Sequence, residues 1–64
     1  MEILKETEKY QLNKGSLQSD GLCNLIEKQT NKISYWFDLE EGEDMSLYDD
    51  DEFDELASKH TFYD

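Results

Sequence analysis

The chain predicts an α+β domain, a small antiparallel sheet of two to four strands packed against one C-terminal acidic helix. Three observations carry that expectation. Residues 33–40, ISYWFDLE, alternate strictly, with Ile33, Tyr35, Phe37 and Leu39 on one face and Ser34, Trp36, Asp38 and Glu40 on the other. Phe53, Leu56, Ala57 and His60 recur at i, i+3, i+4 and i+7, one stripe of a helix. Asp49 precedes Glu52 by three residues, the spacing of a capping box.

Taken in order, Glu2 to Leu12 places Leu4, Tyr10 and Leu12 on one parity and then meets the turn-like Asn13-Lys14-Gly15-Ser16, which reads as one strand and a turn. Its abundant Glu and Lys leave a short helix open. Leu22 to Glu27 is short and mostly apolar, with Gln29-Thr30-Asn31-Lys32 as a polar connector. A hairpin of residues 22–28 with 33–40 follows, although Leu22, Leu25 and Ile26 also fit one helical face. EEGEDMS reads as an acidic loop around Gly42. Asp50 to about Lys59 reads as the helix, its early carboxylates at the positive dipole end and Lys59 and His60 at the other.

Length makes this a single domain over residues 1–64, a size at which one core gives only marginal stability and a large buried active site is not expected. Leu, Ile and Phe number 14 of 64, just enough for folding at a net charge of −11. The eight aromatic residues add the area that favours a compact core over a solvated coil.

The charge is unevenly placed. Residues 1–32 balance five Lys against five carboxylates, whereas from Ile33 onward twelve carboxylates face one Lys. Direct binding to nucleic acid or to an anionic membrane is therefore disfavoured. The single Cys23 excludes an intramolecular disulfide framework and suits a reducing compartment. MEILKETEKY has no apolar run of the signal-peptide kind, and no stretch approaches a membrane span, so a cytoplasmic location is expected.

The dominant constellation is the acidic run Asp38, Glu40, Glu41, Glu43, Asp44, Asp49, Asp50, Asp51, Glu52, Asp54 and Glu55. If Phe53, Leu56 and Ala57 face inward, a rotation of about 100° per residue turns Asp51, Asp54 and Glu55 outward as a ridge. Such a surface serves solubility on any protein. Concentrated on so small a body it costs self-repulsion, which argues for a cationic partner. Trp36, on the polar parity beside Asp38 and Glu40, and Tyr48 are candidate apolar anchors, although in so small a protein Trp36 suits a second small core formed by the N-terminal segment better. Phe62 and Tyr63 either tether the tail or meet a partner.

Neither DLEEGEDMSLYD nor YDDDEFDELA meets the calcium-loop pattern, and one Cys with one His offers no zinc spacing, so no cofactor and no dedicated metal site is expected. Cys23 reads as a small core residue and His60 as a helix-end residue, so no catalytic residue is expected and the chain reads as no enzyme.

YDDDEFDELA and DLEEGED, within residues 38–57, give the chain a compositional character that resembles the small acidic inhibitors of bacteriophages and mobile elements, among them DNA-mimic anti-restriction, anti-CRISPR and uracil-DNA-glycosylase inhibitor proteins. The resemblance implies a stoichiometric inhibitor in a bacterial host cell whose carboxylates stand where phosphates would lie in the groove of a nucleic-acid-binding enzyme. An adaptor or antitoxin-like module that binds a basic protein without nucleic-acid competition is the alternative. A third reading is an acidic segment that orders only on its partner.

Overall fold

The computed structural model describes residues 2–15 and 21–63. They form an α+β fold: an antiparallel sheet of six strands and two short helices. The strands are β1 (Glu2–Glu6), β2 (Tyr10–Lys14), β3 (Leu22–Glu27), β4 (Lys32–Ser34), β5 (Phe37–Asp38) and β6 (Phe62–Tyr63); the helices are α1 (Leu39–Ser46) and α2 (Asp50–Ser58). The sheet order is β1-β2-β3-β4-β6, with β5 also paired to β3. The sheet is thus larger than the two to four strands expected, and a second helix accompanies the C-terminal one.

The N-terminal segment is two strands rather than one. Thr7 makes the turn: its hydroxyl accepts from the N–H groups of Lys9 and Tyr10, and its own N–H donates to the Tyr10 carbonyl. A Ser/Thr hydroxyl bonding the backbone two or three residues on reverses a chain without Gly or Pro. The expected turn at Asn13-Lys14 is instead the end of β2, where Asn13 pairs with Asn24 and Lys14 with Cys23. Gly15 donates to the Leu22 carbonyl at the mouth of the β2–β3 connection, and Ser16 lies outside the described residues.

The hairpin expected between residues 22–28 and 33–40 forms, but its second arm is broken. Ile26 stands opposite Ile33 while Cys23 stands opposite Phe37, so three steps along β3 face four on the returning chain. That extra residue is a bulge, and it resets the alternation. Ser34 is buried and faces the core, Tyr35 and Trp36 both emerge into solvent, and Phe37 turns back inward. The Ser34 hydroxyl fills the gap in the ladder, accepting from Leu25 N–H at 2.8 Å and donating to the Tyr35 carbonyl at 3.0 Å. Leu39 leaves the strand altogether and opens α1, its N–H held by the Gly21 carbonyl.

The core lies between one face of the sheet and the two helices. Tyr10, Leu12, Cys23 and Leu25 meet Met45, Phe53 and Ala57, with Leu4, Phe37, Leu39, Leu56 and Phe62 at the margin. Phe62 stacks on Tyr10 with ring centroids 5.7 Å apart, and its strand pairs with β4, so the tail is tied to the sheet. No described helix is long and apolar enough to cross a membrane.

Candidate functional site

The two helices position the acidic residues. EEGEDMS is helical rather than looped because Gly42 and Met45, three residues apart, form an inward face. Gly42 lets the helix lie against β3: a Cβ there would come within 2.5 Å of Cys23 Sγ. With Gly42 and Met45 inward, helical rotation directs Glu40 and Asp44 away from the sheet, flanked by Glu41 and Glu43. All four are exposed.

Helix α2 follows the expected course. Asp49 caps it, accepting from the Glu52 N–H at 2.9 Å, and the anionic residues Asp50, Asp51 and Glu52 occupy the first turn. Phe53 and Ala57 are buried, and Leu56 and His60 half-buried, as the stripe requires. Asp51 and Glu55 are exposed on the outer side. Asp54 departs from the expected ridge. It is half-buried and accepts a 2.6 Å hydrogen bond from the Thr7 hydroxyl, so it fastens α2 to the β1–β2 turn.

Of the eleven carboxylates in the run, ten are exposed, Asp54 being the exception. Ion pairing among the described residues is sparse: Lys5 with Asp50 at 3.1 Å and Lys28 with Glu6, while the His60 ring stands 3.5 Å from Glu41. Of the acidic run only Asp50 meets a Lys and only Glu41 meets the His60 ring, so the other carboxylates have no cationic partner among the described residues. A field of uncompensated carboxylates on two neighbouring helices attracts cations over about a Debye length, roughly 10 Å at 0.1 M salt.

The aromatic candidates fall in two places. Trp36, 44% exposed, sits with Tyr35 at the bulge, where Tyr35 stacks on Tyr63 at 4.6 Å. By strand parity Tyr35 and Tyr63 lie on the sheet face turned away from the helices, with Ile33. Tyr48, 45% exposed, sits instead in the turn between α1 and α2, among the carboxylates. Sequence reasoning passed over Leu47. It is 84% exposed beside Tyr48, and the signal available was a Leu isolated between two acidic segments, matching no periodicity.

Between the helices lies a cleft of about 460 Å³ with Met45, Tyr48 and Leu56 along it, Glu41 and Asp44 on the α1 side, and Lys59 and His60 at the end of α2. The His60 ring also packs on Phe37 at 4.5 Å. Cys23 is fully buried, and burial together with Glu43 pushes its thiol pKa upward against the opposing pull of Lys14, the opposite of an activated nucleophile. No family model matches this chain, and no curated protein or solved structure gives a significant match.

Proposed function

We propose that this chain is a non-enzymatic binding protein that inhibits a basic host protein by occupying its nucleic-acid-binding surface, working in the cytoplasm of a bacterial cell. The observation that carries the reading is the exposure of ten carboxylates on and around α1 and α2, of which, among the described residues, only Asp50 pairs with a Lys and only Glu41 meets a His ring. Uncompensated charge of this density opposes folding through self-repulsion, and a cationic surface relieves it. The helical spacing adds to the case. Outward residues four apart on a helix rise about 6 Å, close to the interval of two phosphates along one DNA strand, and Glu40 with Asp44 and Asp51 with Glu55 have that spacing.

The test is capture of a bacterial protein on the immobilised chain at low and high salt, with and without duplex DNA. The expected result is a partner retained at low salt and released both by salt and by DNA. A partner that ignores both would overturn the reading, and release by salt alone would favour the adaptor alternative. The quadruple variant Glu40→Gln, Asp44→Asn, Asp51→Asn, Glu55→Gln, which leaves the Thr7–Asp54 bond intact, should slow association by about tenfold or more at low salt.

A further inference from the structure

The corner where α1 turns into α2 combines features that a purely electrostatic surface does not need. Leu47 stands almost wholly in water, although this chain has barely enough apolar residues to fold. Scattered exposed leucines are ordinary on protein surfaces. Leu47 is not scattered: Tyr48 follows it, and Tyr48 lines the cleft along which Met45 and Leu56 lie. The turn is also held in place. Leu47 N–H donates to the Asp44 carbonyl at 3.1 Å and Tyr48 N–H to that of Met45 at 3.2 Å, so both side chains project from an ordered backbone.

Around this apolar centre carboxylates outnumber cations, Lys59 at the α2 end of the cleft being the one Lys among its lining residues. Asp44, Asp49 and Glu43 flank the turn in sequence and are exposed, and none has an ion-pair partner among the described residues. An apolar centre with a charged rim is the anatomy of a protein interface, in which a desolvated anchor supplies affinity and the rim supplies orientation. Phosphate mimicry needs the rim alone. The apolar centre calls for an apolar side chain opposite it.

Resting on the proposed function, we infer that the α1–α2 corner is a docking site for a cationic amphipathic protein segment, whose bulky apolar side chain enters the cleft over Met45, Tyr48 and Leu56 while its Lys or Arg residues meet the carboxylates around the turn. The complementarity of charge chooses this occupant. A second copy of the chain would bring like charge against like charge. The aromatic pair of Tyr35 and Tyr63 lies on the far face of the sheet, away from the cleft.

The experiment titrates the full isotopically labelled chain with two synthetic peptides of equal charge, one an amphipathic Leu/Lys helix and the other with every Leu replaced by Ser, following amide shifts at low salt. The expected result is at least tenfold tighter binding of the Leu/Lys peptide, with the largest shifts at Met45, Leu47, Tyr48 and Leu56. The double variant Leu47→Ser, Tyr48→Ser should bind the Leu/Lys peptide no better than the wild-type chain binds the Ser/Lys peptide. Both positions are exposed, so the variant's other amide shifts should remain those of the native fold. Equal affinity for the two peptides, or shifts centred on Tyr35 and Tyr63, would overturn the docking site. If the peptides bind equally and salt weakens both, the electrostatic reading survives without the cleft; if neither binds, both readings fail.

Discussion

Gly42 and Cys23 leave no room for a side chain between α1 and β3. Alanine is ordinarily better in a helix than glycine by about 1 kcal/mol. At Gly42 the added methyl would lie 2.5 Å from Cys23 Sγ and 3.1 Å from Cys23 Cβ, closer than atoms pack. Gly42→Ala should therefore destabilise the fold, by about 1–3 kcal/mol in urea unfolding, the ordinary range for overpacking. Cys23→Ala removes the Sγ that the new methyl meets, so the double variant should lose less than the two single variants together. Additive losses would show that α1 does not seat on β3 through this pair.

Two groups with raised pKa values set an alkaline limit. Burial, then Glu27 and Asp54, raise the Tyr10 hydroxyl above its ordinary 10.0, and burial, then Glu43, raise the Cys23 thiol above 9.0 against Lys14. In both cases the unfolded chain releases the proton first. The stability tied to these groups is complete below the unfolded pKa values and is lost as pH rises through the folded ones. Urea midpoints followed from about pH 8 to about pH 11 should fall once the thiol begins to ionise in the unfolded chain. Cys23→Ala should delay that onset to the range of Tyr10.

Elements were legible where one local pattern decided them. The α2 helix was readable from Asp49, Phe53, Leu56 and Ala57 because cap and stripe agree, and β3 with the returning arm was readable from the apolar run at Leu22 and the alternation after Lys32. Three features escaped, β6 at Phe62–Tyr63 among them, formed only by its pairing with β4. The β1–β2 turn carries no Gly or Pro; it depends on a Thr7 hydroxyl whose third partner, Asp54, is 47 residues away in sequence. The α1 helix has a glycine in its middle, an unfavourable residue by local preference, and forms because that glycine admits the sheet.

Ser34 shows how an element can be repaired by one side chain. Alternation assigned it to the solvent face, yet the bulge at Tyr35 and Trp36 turns it inward, where it satisfies the Leu25 N–H. Ser34→Ala should leave that buried donor unpaired and cost about 1–3 kcal/mol. Amide exchange should then quicken at Leu25 ahead of the rest of β3. Unchanged exchange at Leu25 would mean that another acceptor completes the ladder.

At the scale of the whole molecule, a net charge of −11 acts on a radius of gyration of 10.5 Å. The core that opposes this repulsion is small, with seven buried apolar or aromatic residues among the described ones. Stability in this protein should therefore rise with ionic strength, as like charges are screened. Thermal unfolding in about 0.02 M and about 0.5 M sodium chloride should give the higher midpoint at high salt, while binding to a cationic partner should weaken over the same range. A midpoint that falls with salt would show the carboxylates to be held in favourable local pairs.

The acidic run was fully visible in the sequence; its distribution was not. Composition determined the sign and the amount of the charge, residue order its C-terminal location, and the periodicity of residues 49–60 the helix that carries five of the eleven carboxylates of the run. Only the tertiary structure decided that Asp54 is a fastening inside the fold, that Tyr35 and Trp36 both face water, and that Leu47 and Tyr48 stand beside a cleft among carboxylates. The reason is one of range. Charge and helical stripe are properties of neighbouring residues, whereas Gly42, Ser34 and Asp54 take their surroundings from Cys23, Leu25 and Thr7, residues on other elements that only folding brings beside them.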